Sequence, residues 1–230
     1  MPYANGFNRK YEEISPPHTD DKTRGVDWRK AQLRAILRLI EENEDNLFQL
    51  LQSELGKHPV ESYRDEIGIV KNSVDQALSC IDQWMSPKKG WLPLLFFPAS
   101  RTMLPEPLGV VLILGSWNFP ISLILDPLIG AISAGNTVML KPSELAPNCA
   151  SFLAKIIPVY LDPKAIKVTE GGKEVSKCVD LVVYCHDGLK FVTGIVGTNG
   201  YDNYGFVYLH ICLSRLVASL CSKYRELRAL

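Results

Sequence analysis

Between Trp28 and Leu55 the apolar residues return every three or four positions, at Leu33, Ile36, Leu37, Ile40, Leu47, Leu50 and Leu51. That period predicts a helix with one face in a core, and Gly56 supplies its stop. Beyond Pro59 a second stripe of Tyr63, Ile67, Val70, Val74, Ala77, Leu78, Ile81 and Trp84 predicts another helix, able to pack on the first. A proline-studded stretch, 87–107, follows. Its Leu94, Leu95, Phe96 and Phe97 need a cover, because so much exposed apolar area is costly in water; another subunit is one candidate.

After Gly109 the pattern changes. Val110 to Leu114 is a continuous β-rich run, as expected of a strand buried on both faces of a parallel sheet. A loop, Gly115 to Pro120, leads to a helix over Ile121 to Ser133, which Gly135 and Asn136 close. Thr137 to Leu140 predicts the next strand, ended by Lys141 and Pro142, and a helix from Pro147 to Tyr160 and a strand over Ala165 to Thr169 continue the alternation. The predicted fold class is α/β: a partial doubly wound parallel sheet, Rossmann-like, preceded by an N-terminal helical pair. The run from Leu108 to Ser133 invites a membrane-span reading, but Asn118, Pro120, Asp126 and Pro127 interrupt it, and a buried strand and helix account for it better. The patterns divide the chain into a polar segment over 1–24, a helical and α/β unit over 25–172, and a segment of different character over 173–230.

Charge removes some function classes. Lys and Arg number 25 and Asp and Glu also 25, so there is no broad positive field and a nucleic-acid partner is not expected. The polar start, Met1 to Arg24, has no apolar stretch of the signal-peptide kind. The six cysteines, Cys80, Cys149, Cys178, Cys185, Cys212 and Cys221, form no C-x-x-C pair, which predicts reduced thiols and a cytoplasmic setting. Together with His186 and His210 they match no familiar ligand spacing, so no metal is expected.

Ligands of a doubly wound sheet lie at the carboxyl ends of its strands. The loops there are Gly115 to Pro120 and Lys141-Pro142-Ser143-Glu144. No G-x-G-x-x-G follows the first strand, so an ordinary phosphate cradle is not supported. A lysine at a strand end can donate to ribose hydroxyls, and an acidic residue beyond the second strand can accept from a 2′-hydroxyl while repelling a 2′-phosphate. Lys141 and Glu144 read equally as a solvated turn. Asn118 reads either as a turn former or as an amide N–H donor for an oxyanion.

The order and spacing of Glu106-Pro107-Leu108-Gly109-Val110, Ser116-Trp117-Asn118-Phe119-Pro120, Ala134-Gly135-Asn136 and Lys141-Pro142-Ser143-Glu144 resemble the aldehyde dehydrogenase superfamily, class-3 branch, over Trp28 to about Asp162. The resemblance implies that Asn118 helps hold the substrate oxygen, and that Lys141 and Glu144 hold the adenosine ribose of NAD, with NADP also accepted in the class. Ser116 and Trp117, in the same loop as Asn118, join the implied cofactor-binding set. It further implies a small-molecule aldehyde substrate and a homodimer. In the implied reaction a cysteine thiolate attacks the aldehyde, hydride passes to the nicotinamide, and a glutamate base assists hydrolysis of the thioester.

The family's L-E-L-G-G-K-like segment, with its glutamate, and its G-Q-x-C-like segment, with its cysteine, do not occur in these 230 residues. Phe191-Val192-Thr193-Gly194 is similar to the family's F-T-G loop but lacks the glycine spacing and helix expected after it. From about Lys173 onward the sequence therefore reads as unrelated sequence joined to a family-like beginning, as a truncated or misread transcript would give. Leu213, Leu216, Val217, Leu220, Tyr224 and Leu227 predict a last amphipathic helix.

Overall fold

The computed structural model describes residues 9–10, 12–13, 21–172, 190–193 and 223–229. Its first layer is helical: α1 (Val26–Glu42), α2 (Glu44–Leu55) and α3 (Gly68–Met85), with a helical turn at Pro59–Ser62 and a π-helical segment at Tyr63–Ile67 leading into α3. The single helix expected over Trp28 to Leu55 is thus two. Asn43 leaves helical geometry (φ −120°, ψ 16°), and its side-chain amide donates to the Leu39 carbonyl, satisfying a helix-end group that continuation would otherwise have paired. Gly56 stops α2 in the left-handed region, as expected.

The segment 87–107 is more regular than its prolines suggest. Strands β1 (Lys88–Gly90) and β2 (Ser100–Glu106) pair antiparallel, and β7 (Lys223–Ala229) adds to the free side of β2 with Ser100 opposite Ala229. Residues 223–229 are therefore strand rather than the end of the expected last helix: hydrogen bonding along all of β2 overrides their helical period. The rest of that expected helix lies outside the described residues, as do Cys178, Cys185, His186, Gly194, His210, Cys212 and Cys221. Between β1 and β2, Trp91, Leu94, Leu95 and Phe97 are all at least 80% exposed, so nothing in the described fold covers them.

The second layer pair is the α/β unit. Strands β3 (Val110–Leu114), β4 (Thr137–Lys141), β5 (Ile166–Val168) and β6 (Lys190–Thr193) are all parallel and lie in the order β5-β4-β3-β6. In sequence terms this is third, second, first, fourth, the doubly wound order, whose switch point falls between β3 and β6. Helices α4 (Ser122–Ser133) and α5 (Pro147–Tyr160) make the crossovers, and both pack against the N-terminal helices. One core runs through these layers, joining Leu33, Ile36, Leu39 and Ile40 of α1 and Val70, Val74 and Ile81 of α3 to Ile124, Leu128 and Ile132 of α4 and Val111, Ile113, Val138 and Leu140 of the sheet. Leu112 and Met139, on the opposite sheet face, are also fully buried, as the unbroken apolar run predicts.

Two backbone devices align the strands that matter. Asn136 is fully buried; its Oδ1 accepts the Gly109 N–H at 3.0 Å, tying the start of β4 to the start of β3. Gly135 precedes it at φ +83°, where an added Cβ would stand 2.4 Å from the buried Arg29 guanidinium, so only glycine fits. No helix among the described residues is long and apolar enough to cross a membrane.

Candidate functional site

The carboxyl ends of β3 and β4 are in register: Leu114 pairs with Lys141, and the Gly115 N–H donates to the Lys141 carbonyl at 2.9 Å. The loop 115–120 therefore leaves the sheet beside Lys141, at the switch-point strand, and carries Ser116, Trp117 and Asn118 there. A Cβ at Gly115 would meet the Ile124 side chain at 2.5 Å, so any other residue there requires that buried side chain to shift. Ser116 is half-buried and Trp117 is half-exposed. Asn118 Oδ1 is buried and takes no hydrogen bond among the described residues. A buried unpaired amide atom costs about 1–3 kcal/mol, so it invites a ligand; a half-turn of the amide would present its NH2 instead.

Lys141 is almost wholly buried. Its ammonium donates to Glu144 Oε2 at 2.9 Å and to the Pro142 carbonyl at 3.4 Å, while Glu144 keeps 42% of its side chain exposed. The turn between them is built by Ser143, whose hydroxyl accepts the Leu145 N–H. Beyond β5, Gly172 comes close to the same carboxylate: a Cβ there would lie 3.9 Å from Glu144 Oε1. The ends of β3, β4 and β5 thus converge around a donor and an acceptor set side by side, one half reachable from solvent.

The crossover helices show why no glycine-rich phosphate motif is needed. Helix N-termini normally attract anions through unpaired N–H groups. Here Glu66 Oε2 already accepts Ile121 N and Ser122 N, at 2.9 and 3.2 Å. Glu54 does the same for α5, its two oxygens accepting Asn148 N and Cys149 N at 3.2 and 2.8 Å. Both N-termini are neutralised from the N-terminal helical layer, and neither offers its first N–H groups to a phosphate.

Glu54, Lys57 and Glu66 are the residues that the motif reading missed. Lys57 is buried, with its ammonium 2.6 Å from Glu66 Oε1, 2.9 Å from the Asn118 carbonyl oxygen and 4.1 Å above the Phe119 ring. A signal was present: Glu66 sits four positions before Val70 on the stripe that faces the core, where a carboxylate without a partner would be prohibitive. Among cysteines, Cys149 is buried in the first turn of α5, and burial, reinforced by the Glu54 carboxylate, pushes its thiol up, away from thiolate chemistry.

Comparison with known proteins agrees with this architecture. Residues 22–193 match the family model described as "Aldehyde dehydrogenase family". The chain is 54% identical over 164 residues to aldehyde dehydrogenase family 3 member F1 of Arabidopsis thaliana, covering 71% of this chain and 34% of that protein. It is 37% identical over 173 residues to 4,4'-diaponeurosporen-aldehyde dehydrogenase of Staphylococcus aureus, covering 75% of this chain and 38% of that one. Among solved structures, a substrate-bound state of Staphylococcus aureus AldH superposes with a TM-score of 0.72 at 36% identity, over 75% of this chain and 38% of that chain. P. syringae indole-3-acetaldehyde dehydrogenase, solved as a variant with NAD+ and IAA, gives 0.69 at 26% identity, over 83% and 38%. The chain spans about a third of the length of the curated relatives it matches. The family match runs on through Thr193, past Lys173, where the resemblance in motifs fades.

Proposed function

The chain belongs to the aldehyde dehydrogenase family, and from that premise we propose that its crevice at the ends of β3, β4 and β5 holds the adenosine end of a nicotinamide dinucleotide, for oxidation of an aldehyde to a carboxylic acid. One observation carries the reading: Lys141 and Glu144 form an ammonium–carboxylate pair at the end of β4, beside the loop of Asn118 that leaves β3, the strand bordering the switch point of a doubly wound sheet. The pair fits vicinal ribose hydroxyls, the lysine donating to one and the glutamate accepting from the other. Glu144 repels a 2′-phosphate, so NAD is preferred over NADP. The bound dinucleotide supplies the hydride acceptor.

In this reading Ser116 and Trp117 flank the dinucleotide, and Asn118 turns its amide NH2 toward the oxygen of the aldehyde, where negative charge grows as a nucleophile adds. The unit over 25–172 acts as the nucleotide-binding scaffold of a cytoplasmic protein, and the exposed Trp91, Leu94, Leu95 and Phe97 meet a second copy of the chain. A second reading has its own support. Neither the segment with the family's glutamate nor that with its cysteine occurs in these 230 residues, and Cys149 is no substitute. The chain by itself is then a non-catalytic family member that binds nucleotide or pairs with intact subunits.

Mixing the purified chain with NAD and a panel of aldehydes separates the readings. The expected result is nucleotide binding, seen as a change in tryptophan emission, without aldehyde-dependent formation of reduced nicotinamide. Turnover abolished by replacing one of the six cysteines overturns the non-catalytic reading; absence of any nucleotide binding overturns the first reading and leaves of the second only pairing with intact subunits.

A further inference from the structure

The loop 115–120 is gripped from outside the sheet. Lys57, one residue past the stop of α2, takes hold of the Asn118 carbonyl and lies over the Phe119 ring; Glu66, in the π-helical segment before α3, takes hold of the N–H groups of Ile121 and Ser122. The two grips are joined through the 2.6 Å contact between Lys57 Nζ and Glu66 Oε1. The backbone that follows the Asn118 side chain, at its own carbonyl and at 121–122, is therefore fixed to one buried pair. Glu66 is fully buried and Lys57 is 8% exposed.

Fold stability is a weak reason for such a pair, because well-packed apolar residues in place of a buried ion pair are often neutral or stabilising. Helix capping is also insufficient. Glu54 caps α5 through the same two kinds of N–H contact, and among the described residues it forms no ion pair with a lysine and no hydrogen bond to the preceding loop. The lysine at the first crossover helix does something the second does not require, and its additional contacts go to Asn118 and Phe119. π-Helical turns, such as the one that brings Glu66 to this place, recur at functional sites.

We propose that Lys57 and Glu66 are positioning residues, which hold the Asn118 side chain at the end of β3 by locking the backbone at Asn118 and at 121–122. The inference rests on the reading of Asn118 as a site residue. Lys57 and Glu66 touch neither substrate nor cofactor in this account; they act through the loop.

Hydrogen exchange on the full chain, resolved by peptide, tests it. Lys57→Met is expected to raise exchange over 115–122 by about tenfold or more while β4 stays protected, and Lys57→Arg is expected to restore most of the protection. Exchange that rises uniformly over the loop and β4, or a loop that is unaffected, overturns the proposal. Should Lys57→Met fail to fold, Glu66→Gln serves, since its amide oxygen still accepts the helix N–H groups. The side-chain amide resonance of Asn118, assigned by its loss in Asn118→Asp, must then shift, and an unmoved resonance overturns the proposal. Titration of the wild-type chain with NAD keeps the two readings apart. A chain that binds no nucleotide refutes the proposed function while the exchange result still decides the role of Lys57; a chain that binds while its loop ignores Lys57 refutes only the positioning role.

Discussion

Glu54 and Glu66 stand in the same relation to successive crossover helices: each sends a carboxylate from the N-terminal layer onto the first backbone N–H groups of one, Glu54 on α5 and Glu66 before α4. The N-terminal helices therefore complete the α/β unit as well as cover it. Their capping differs in two respects, since Glu66 is fully buried and also holds Lys57, whereas Glu54 is partly exposed.

That difference sets an order of stabilities. Glu66→Ala leaves the Lys57 ammonium buried without its partner and is expected to cost about 3–5 kcal/mol. Glu54→Ala removes a cap that water can partly replace and is expected to cost about 1 kcal/mol. Urea unfolding of the two variants checks this; equal losses, or a larger loss for Glu54, would contradict the arrangement described.

Much of this was legible beforehand, and the residues show why. The uninterrupted run Val110 to Leu114 can be satisfied only by a strand covered on both faces, and Gly135-Asn136 marks a turn, so the first β-α-β unit follows from pattern. The break at Asn43 was hidden because the apolar stripe passes through it from Ile40 to Leu47 in register with a continuing helix. Strand β2 was hidden by Pro98 and Pro105 and by a partner, β7, more than a hundred residues away, a pairing that no local window contains. Asn118, Lys141 and Glu144 lie at or just beyond strand ends, where position alone leaves an ordinary turn open and the motif resemblance makes them candidates; Lys57 was not legible, because its partners come together only in three dimensions.

Asp162 links α1 and the segment before it to the sheet. Burial opposes its charge, yet hydrogen bonds from the Lys164 N–H, the Lys22 ammonium and the Trp28 indole outweigh it and hold its carboxyl below the usual carboxylate range. A carboxyl depressed in the folded state contributes its stability above the unfolded value, about pH 4, and loses it as pH falls through the folded value. Asp162→Asn is therefore expected to lower the melting temperature at neutral pH and to converge with wild type in acid. Melting curves that run parallel down to about pH 2 would show that the contacts do not stabilise the charge.

Cys149 offers a chemical check on the fold around α5. Its buried, upward-shifted thiol is expected to resist a water-soluble disulfide reagent in the folded chain and to react fully once urea unfolds it, as peptide mapping would show. Rapid modification at neutral pH in the absence of denaturant would mean that α5 opens far more readily than its packing allows.

The nucleotide site is the claim on which the functional account depends, and calorimetric titration of NAD into the wild-type chain and Lys141→Ala addresses it most directly. Loss of a charge-assisted hydrogen bond, worth about 1.5–3 kcal/mol, is expected to weaken binding by about tenfold or more while leaving the melting temperature within a few degrees of wild type. Equal affinity in the two proteins would remove Lys141 from the site and contradict the account.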